Sequence, residues 1–336
     1  MVKRSMLVAT LLLVCAAACV LLFQPTVSAE TITLSYANFP PAPTFPCVQM
    51  ERWKLEVEKR TNGKVLINTF PGGTLLGAKD MMDGVIAGQA DIGCLSMAYQ
   101  PGRFMVTNAT GLPIGIPDAT KGSAALLKLY EKYKPEEFKD VVVLTMFTNA
   151  PGNIMSKVPV RTLEDIKGLD LRASGGAAQI LSAWGANPVG MPMPATVEAL
   201  QKGTVKGLFS SLEVMKDFKF AENCAYVTMT ETGIYPFAVV MNTAKFNALP
   251  KDVQDVMMGL KEEQALWTGN YMDEQIKAAI AWSKEAHKVE FISLSAAEKS
   301  RWDSKLTFMV DNWIKEAAGK GLPAEAIISD IKTFIK

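Results

Sequence analysis

Residues 64–96, KVLINTFPGGTLLGAKDMMDGVIAGQADIGCLS, decide the fold class of this chain. The stretch begins with a strand-like alternation of apolar and polar residues over 64–70. A helical spacing of apolar residues around Met81 and Val85 follows, and residues 90–96 form a short apolar run that is typical of a buried strand. Strand, helix and strand in this order indicate a parallel sheet that is covered by helices on both faces.

The same alternation of strands and helices extends in both directions along the chain. Upstream, residues 31–37 (TITLSYA) resemble a strand and residues 47–60 (CVQMERWKLEVEKR) a helix with one apolar face. Downstream, the rhythm restarts with strands at 141–148 (VVVLTMFT) and 169–173 (LDLRA), and residues 235–242 (YPFAVVMN) form a further strand. The sequence therefore predicts two α/β lobes in tandem, joined by crossing strands.

The chain crossings give the expected boundaries of the two lobes. We expect lobe I to comprise residues 30–148 plus about 239–285, and lobe II residues 149–238 plus about 286–336, with a ligand cleft between them. Residues 252–290 contain no proline and keep a helical spacing of apolar residues. One helix of that length would extend roughly 55 Å and would brace both lobes.

The amino terminus has the pattern of an export signal. Two positive charges precede an apolar run over residues 6–23, and small residues end at Ala29. We therefore predict a signal peptide of residues 1–29, cleaved after Ala29, and a periplasmic protein. A retained membrane anchor is one alternative, since the apolar run has 18 residues. Lipidation at Cys19 is another, although the sequence before it matches a lipobox poorly.

The composition argues against several classes of function. The 35 Lys and Arg residues nearly balance the 34 Asp and Glu residues and are scattered, which is unlike a nucleic-acid-binding protein. His287 is the single histidine, which disfavours a Ser-His-Asp triad and a metal site with several histidine ligands. The spacing of Cys47, Cys94 and Cys224 suggests neither a zinc site nor a disulfide scaffold. We expect no enzyme activity, no cofactor and no metal.

Arg172 is the strongest candidate for a ligand contact. It lies near the end of a predicted strand within residues 165–178 (DIKGLDLRASGGAA), and the small residues 173–176 cannot cover its charge. Ligands of open α/β sheets bind at the carboxyl ends of strands, which is where Arg172 is expected. The alternative is a surface ion pair with Asp170 or Glu164. Two α/β lobes in an exported chain without catalytic side chains are typical of the periplasmic binding protein fold.

Four segments resemble the substrate-binding subunits of TRAP transporters (tripartite ATP-independent periplasmic transporters), the DctP-type family. They are VEKRTNGKVLINTFPGGTL, MMDGVIAGQADIG, IKGLDLRAS and WGANPVGMPMPATVEALQKGTVKG, in that order along the mature chain. The resemblance implies a monomeric carrier that delivers an organic acid to a TRAP-type membrane permease. It also implies that an arginine in the position of Arg172 pairs with the carboxylate of the ligand.

The sequence departs from the family pattern at Ser210, where the family commonly has an asparagine that helps to hold the carboxylate. This departure, with several aromatic residues near the predicted strand ends, favours a monocarboxylate with an apolar or aromatic body. The candidate ligand-binding residues are Arg172, Ser210, Ser96, Tyr99, Phe39, Met193, Ser174 and Tyr235, with Phe45 and Phe209 as further walls. For each aromatic residue, packing in the core is the alternative.

Three other functions stay open at this stage. A C4-dicarboxylate carrier of the same family would need a second cation, for which Arg103 is the nearest candidate. An ABC-type amino-acid-binding protein would need an acidic group near Arg172 for the ligand ammonium, and the sequence offers no clear candidate. An exported enzyme is disfavoured by the single histidine.

Overall fold

The computed structural model describes residues 31–100 and 102–336, so the predicted signal peptide at 1–29 lies outside the described residues. The strands are β1 Ile32–Asn38, β2 Val65–Phe70, β3 Ile92–Ser96, β4 Val141–Thr148, β5 Gly152–Ser156, β6 Asp170–Ala173, β7 Asn187–Gly190, β8 Gly207–Ser210, β9 Tyr226–Thr232, β10 Pro236–Asn242 and β11 Glu290–Ser293. The helices are α1 Phe45–Arg60, α2 Met81–Ile86, α3 Met105–Asn108, α4 Ala119–Tyr133, α5 Gly176–Trp184, α6 Thr196–Gln201, α7 Val214–Asp217, α8 Thr243–Ala248, α9 Lys251–Gly259, α10 Lys261–His287, α11 Ala296–Ser304, α12 Phe308–Gly319 and α13 Ala324–Phe334.

The strands form two sheets, each at the centre of one lobe. The first has the order β2-β1-β3-β10-β4, and the second has the order β11-β9-β5-β8-β6-β7. The predicted two-lobe α/β fold is thereby confirmed. Both sheets are mixed: β1 and β3 are parallel, whereas β10 runs antiparallel to β3 and β4. In the second sheet, β6 is parallel to β7 and β8, and β5 is antiparallel to β8.

The chain passes from the first sheet to the second at residues 149–151 and returns at 233–235. Hydrogen bonds join these two crossing segments. The backbone N–H of Asn149 donates to the carbonyl of Tyr235 at 3.2 Å, and the N–H of Tyr235 donates to Asn149 Oδ1 at 2.6 Å. Asn149 Nδ2 also donates to Ser211 Oγ at 2.8 Å. The paired segments are thus placed to act as a hinge between the lobes.

The carboxyl-terminal residues contribute to both sides of the molecule. β11 joins the edge of the second sheet, whereas α13 packs against α4 beside the first sheet. By these contacts α13 belongs to lobe I, although the predicted boundary places residues 286–336 in lobe II. The other lobe boundaries stay a proposal.

The predicted helix over 252–290 consists of two helices, α9 and α10, which are separated at Leu260. The N–H of Leu260 donates a hydrogen bond to the carbonyl of Met258 and does not follow the hydrogen-bond pattern of an α-helix. α10 still has 27 residues and contacts α4 and β4 on one side and α7 on the other. The prediction of a long C-terminal helix that braces both lobes is therefore confirmed, with a shorter helix than expected.

Hydrogen bonds and apolar packing attach α10 to the two lobes. The carboxylate of Asp273 accepts hydrogen bonds from the N–H groups of Ala119 and Thr120, at 2.9 and 3.0 Å, and so caps the start of α4. Ile276 and Ile280 pack against the core of the second lobe. Within the described part of the chain, no helix is long and apolar enough to cross a membrane.

Candidate ligand-binding cleft

The candidate site is a cleft between the two sheets, at the carboxyl ends of β1, β3, β6 and β8. Its walls are Phe39, Pro40, Thr44, Phe45, Pro46, Ser96, Tyr99, Asn149, Arg172, Ser174, Met193, Ser210, Glu213, Val214, Asp217, Phe218, Tyr235 and Phe237. The empty space between these walls is about 470 Å³, including space that is open to solvent. A cleft of this size favours a small ligand.

Arg172 lies on β6 and is only 1% exposed. Its Nε and Nη2 both donate to the carbonyl oxygen of Met191, at 3.0 and 2.8 Å, which fixes the orientation of the guanidinium. Its Nη1 is buried and has no hydrogen-bond partner among the described residues. Of the five N–H donors of a guanidinium, three therefore remain for another molecule, and Nη1 and Nη2 present them as a fork.

The surface ion pair that was the alternative for Arg172 is absent. Asp170 accepts a hydrogen bond from Asn187 Nδ2 at 3.3 Å, and Glu164 pairs with Arg301 at 2.6 Å. A buried cation without an anion is costly unless a charged partner arrives. The guanidinium of Arg172 thus has the chemistry of an anion-binding group.

The turn after β6 brings the two lobes into contact. Gly175 has φ +54° and ψ −137°, a conformation that is open almost only to glycine. A Cβ at this position would lie 2.9 Å from the carbonyl oxygen of Ala98 in the opposite lobe. Across the same cleft, the N–H of Met193 donates to the hydroxyl oxygen of Tyr99 at 3.0 Å. The lobes therefore touch on one side of the cleft, as in a closed binding protein.

Aromatic rings form the wall of the cleft on the first lobe. Phe39 packs edge-to-face against Tyr99, with ring centroids 5.4 Å apart, and lies parallel to Phe237 at 6.5 Å. Phe45 meets Phe237 edge-to-face at 5.4 Å. Such packing fixes the rings in position and leaves a rigid apolar surface for a ligand.

Two acidic side chains, Glu213 and Asp217, line the cleft on the second lobe. Burial raises the pKa of Glu213 to about 8; the charge of Asp217 adds to the rise, and the Ser211 hydroxyl opposes it. Burial also raises the pKa of Asp217 to about 6, against hydrogen bonding from the backbone of Phe45. The sequence alone offered no clear acidic candidate near Arg172, but the structure places both of these acids in the same cleft. Glu213 lies three residues after the end of β8, at the start of α7.

The structure places all eight candidate binding residues in the walls of this one cleft. Besides Arg172, these are Ser210, Ser96, Tyr99, Phe39, Met193, Ser174 and Tyr235. The further wall residue Phe45 is also there, whereas Phe209 is not. The side chain of Phe209 is buried in lobe II against Trp184, with ring centroids 5.7 Å apart, because β8 turns it away from the cleft. The part of each residue in ligand binding stays a prediction.

The amide that the family commonly supplies is missing from the position of Ser210. Asn149 is the one amide among the described residues that line the cleft, and the hinge hydrogen bonds to Tyr235 and Ser211 already occupy it. Cys47, Cys94 and Cys224 are buried, and none of them forms a disulfide within the described residues.

The chain matches the model of bacterial extracellular solute-binding protein family 7, DctP, over residues 40–316. It is 55% identical to a TRAP periplasmic solute-binding protein from Desulfovibrio salexigens, covering 91% of this chain and 96% of that one, with a TM-score of 0.82. That structure is an open complex with the C-terminus of a symmetry mate bound in its ligand-binding site.

Two further solved structures are similar over nearly their whole length. A TRAP solute-binding protein from Rhodoferax ferrireducens, in complex with copurified benzoate, is 25% identical, with a TM-score of 0.87; 91% of this chain and 98% of that chain are covered. A TRAP periplasmic solute-binding protein from Bordetella bronchiseptica, with bound (R)- and (S)-mandelate, is 28% identical, with a TM-score of 0.85 and 90% and 98% coverage.

Proposed function

Because the chain belongs to the DctP family of bacterial extracellular solute-binding proteins, which serve TRAP transporters, we propose that its cleft captures a monocarboxylate with an aromatic body. The family consists of transport proteins that bind organic acids in the periplasm. The observation that carries the proposal is the buried guanidinium of Arg172, whose Nη1 has no partner among the described residues, in a cleft with an aromatic wall.

In this proposal, the carboxylate of the ligand accepts hydrogen bonds from Nη1 and Nη2 of Arg172. The N–H groups at the start of α5, directly after Ser174, add a favourable field for an anion. The ring of the ligand then lies against Phe39 and Phe237. Benzoate and mandelate in the two related proteins have this combination of one carboxylate and one ring. The peptide C-terminus in the more similar protein also supports a carboxylate site.

A dicarboxylate fits the cleft less well than a monocarboxylate. Arg172 is the only cation among the described residues that line it, and Asp217, with a pKa of about 6, would repel a second carboxylate at neutral pH. Arg103, the other cation considered, pairs with Asp83 at 2.6 Å near the surface. We therefore favour the monocarboxylate over the C4-dicarboxylate alternative.

Calorimetric titration of the ligand-free protein tests this proposal. Benzoate, mandelate and phenylpyruvate represent aromatic monocarboxylates, and succinate represents the dicarboxylates. We expect at least one aromatic acid to bind about tenfold or more tighter than succinate, a difference of about 1.4 kcal/mol. If succinate binds tightest, the aromatic wall serves packing alone and the assignment is wrong.

The remaining parts of the proposal concern export and delivery. We propose that the chain is cleaved after Ala29, acts as a monomer in the periplasm and passes its ligand to TRAP permease subunits. The intact mass of protein from the periplasm tests cleavage, since the proposal requires Glu30 as the first residue. Light scattering tests the monomer, and uptake of labelled acid with and without this protein tests delivery.

A further inference from the structure

Glu213 is a buried acid that the proposed carboxylate site does not use. Its side chain lines the cleft, the residue is 3% exposed, and Oε2 has no hydrogen-bond partner among the described residues. The Ser211 hydroxyl and the backbone N–H groups of Glu213 and Val214 partly oppose the rise in its pKa that burial causes. A buried polar atom without a hydrogen-bond partner is destabilising, so an unpaired oxygen in a binding cleft points to a partner from the ligand.

Arg172 does not supply that partner, although it lines the same cleft. Arg172 Nη1 and Glu213 Oε2 are both unpaired, so the cation and the acid do not bond to each other. Both groups belong to segments at the ends of neighbouring strands, β6 and β8. The cleft thus has two separate polar points with an aromatic wall beside them.

We propose that Glu213 is a second recognition point, which binds an O–H or N–H group on the ring of the aromatic acid whose carboxylate Arg172 holds. This inference rests on the proposed function and narrows its ligand class to hydroxylated aromatic acids and acids with a ring N–H. A ligand donor would satisfy the unpaired oxygen of Glu213, whereas an unsubstituted ring would leave it buried and unpaired.

An uncharged donor suits this end of the cleft better than an ammonium group. Burial keeps Glu213 protonated at neutral pH, since its pKa is about 8. The carbonyl oxygen of a neutral carboxyl accepts a hydrogen bond from a hydroxyl or ring N–H without requiring a second desolvated charge. Val214 and Phe218 provide apolar surroundings in this region, whereas Asp217, which also lines the cleft and has a pKa of about 6, is ionised at pH 7. The titration with phenylalanine below tests whether Asp217 attracts an ammonium group.

Matched ligand pairs test the inference. Calorimetry at pH 7 compares benzoate with 3-hydroxybenzoate and 4-hydroxybenzoate, and indole-3-acetate with 1-methylindole-3-acetate. We expect the donor-bearing member of at least one pair to bind about tenfold tighter. This is the gain in affinity expected from a hydrogen bond between a ligand donor and a buried acceptor. Phenylalanine has an ammonium group that the other acids lack. If phenylalanine binds tighter than every one of them, the cleft holds an ammonium group and the inference is overturned.

Variants of Glu213 show whether this residue causes the preference. Glu213→Leu should reduce the preference for the donor-bearing ligand to about twofold or less, whereas Glu213→Gln, which keeps an acceptor oxygen, should keep most of the preference. The control is Glu222→Gln, an exposed acid in the same segment, which should change nothing. Thermal unfolding checks that each variant is folded, and Glu213→Met replaces the leucine variant if that one is not.

The outcomes separate this inference from the proposed function. If aromatic acids bind through Arg172 without a donor preference, or if the preference persists in Glu213→Leu, the role of Glu213 is refuted and the carboxylate site stands. If no aromatic acid binds at all, the proposed function and this inference both fail.

Discussion

Replacing Arg172 removes the one group that the proposed carboxylate site requires. In Arg172→Ala, the ligand loses its hydrogen bonds to Nη1 and Nη2, which are the free donors of the guanidinium. Hydrogen bonds to charged groups contribute about 1.5–3 kcal/mol, so the Kd should rise about 10- to 150-fold. Arg172→Lys should recover only part of the affinity, because an ammonium group cannot bond Met191 and present a planar fork at once.

The assay is a calorimetric titration of each variant with its tightest aromatic acid, together with thermal unfolding without ligand. Arg103→Ala is the matched control, since Arg103 pairs with Asp83 and does not line the cleft. Arg172→Ala should remain folded, because no ion pair to an acidic residue is lost with it. Unchanged affinity in a folded Arg172→Ala, or an equal loss in Arg103→Ala, would refute the reasoning.

Three further predictions concern closure and pH. Gly175→Ala should weaken binding about tenfold or more, because its Cβ would lie 2.9 Å from the carbonyl oxygen of Ala98 in the closed cleft. An unchanged Kd would show that the close approach of residue 175 to Ala98 is not needed for binding. Tyr99→Phe should weaken binding several-fold, about 1 kcal/mol, because it leaves the N–H of Met193 without its partner, and wild-type affinity would show that this contact does not stabilise closure. Affinity for the monocarboxylate should fall between pH 7 and pH 9, because Glu213 ionises with a pKa of about 8 and adds a negative charge beside the bound anion. In Glu213→Gln this loss of affinity should disappear. If the loss persists in that variant, another titrating group causes it.

The fold class was predictable from the sequence because local patterns determine it. Residues 64–96 carry a strand, a helix and a buried strand that the structure reproduces as β2, α2 and β3. The strand β7 was missed, since it has only four residues and its second is proline. The break at Leu260 was missed because no proline interrupts the apolar spacing there.

Candidate residues at strand ends could be predicted from the sequence, whereas residues whose properties depend on burial could not. Arg172 and Ser96 lie at strand ends and were found by that rule, whereas Ser210, which also ends a strand, was found through the family resemblance. Glu213 and Asp217 stand in SLEVMKD, a segment that looks like the exposed start of a helix. Only the packing of the two lobes buries them, and burial is what raises their pKa values.

A crystal structure of the protein with its tightest-binding aromatic acid tests the central claim most directly. Our account predicts a carboxylate oxygen within about 2.7–2.9 Å of Arg172 Nη1, a second oxygen on Nη2, and the ring beside Phe39. A ligand whose carboxylate lies elsewhere in the cleft, with Nη1 of Arg172 still unpaired, would contradict it.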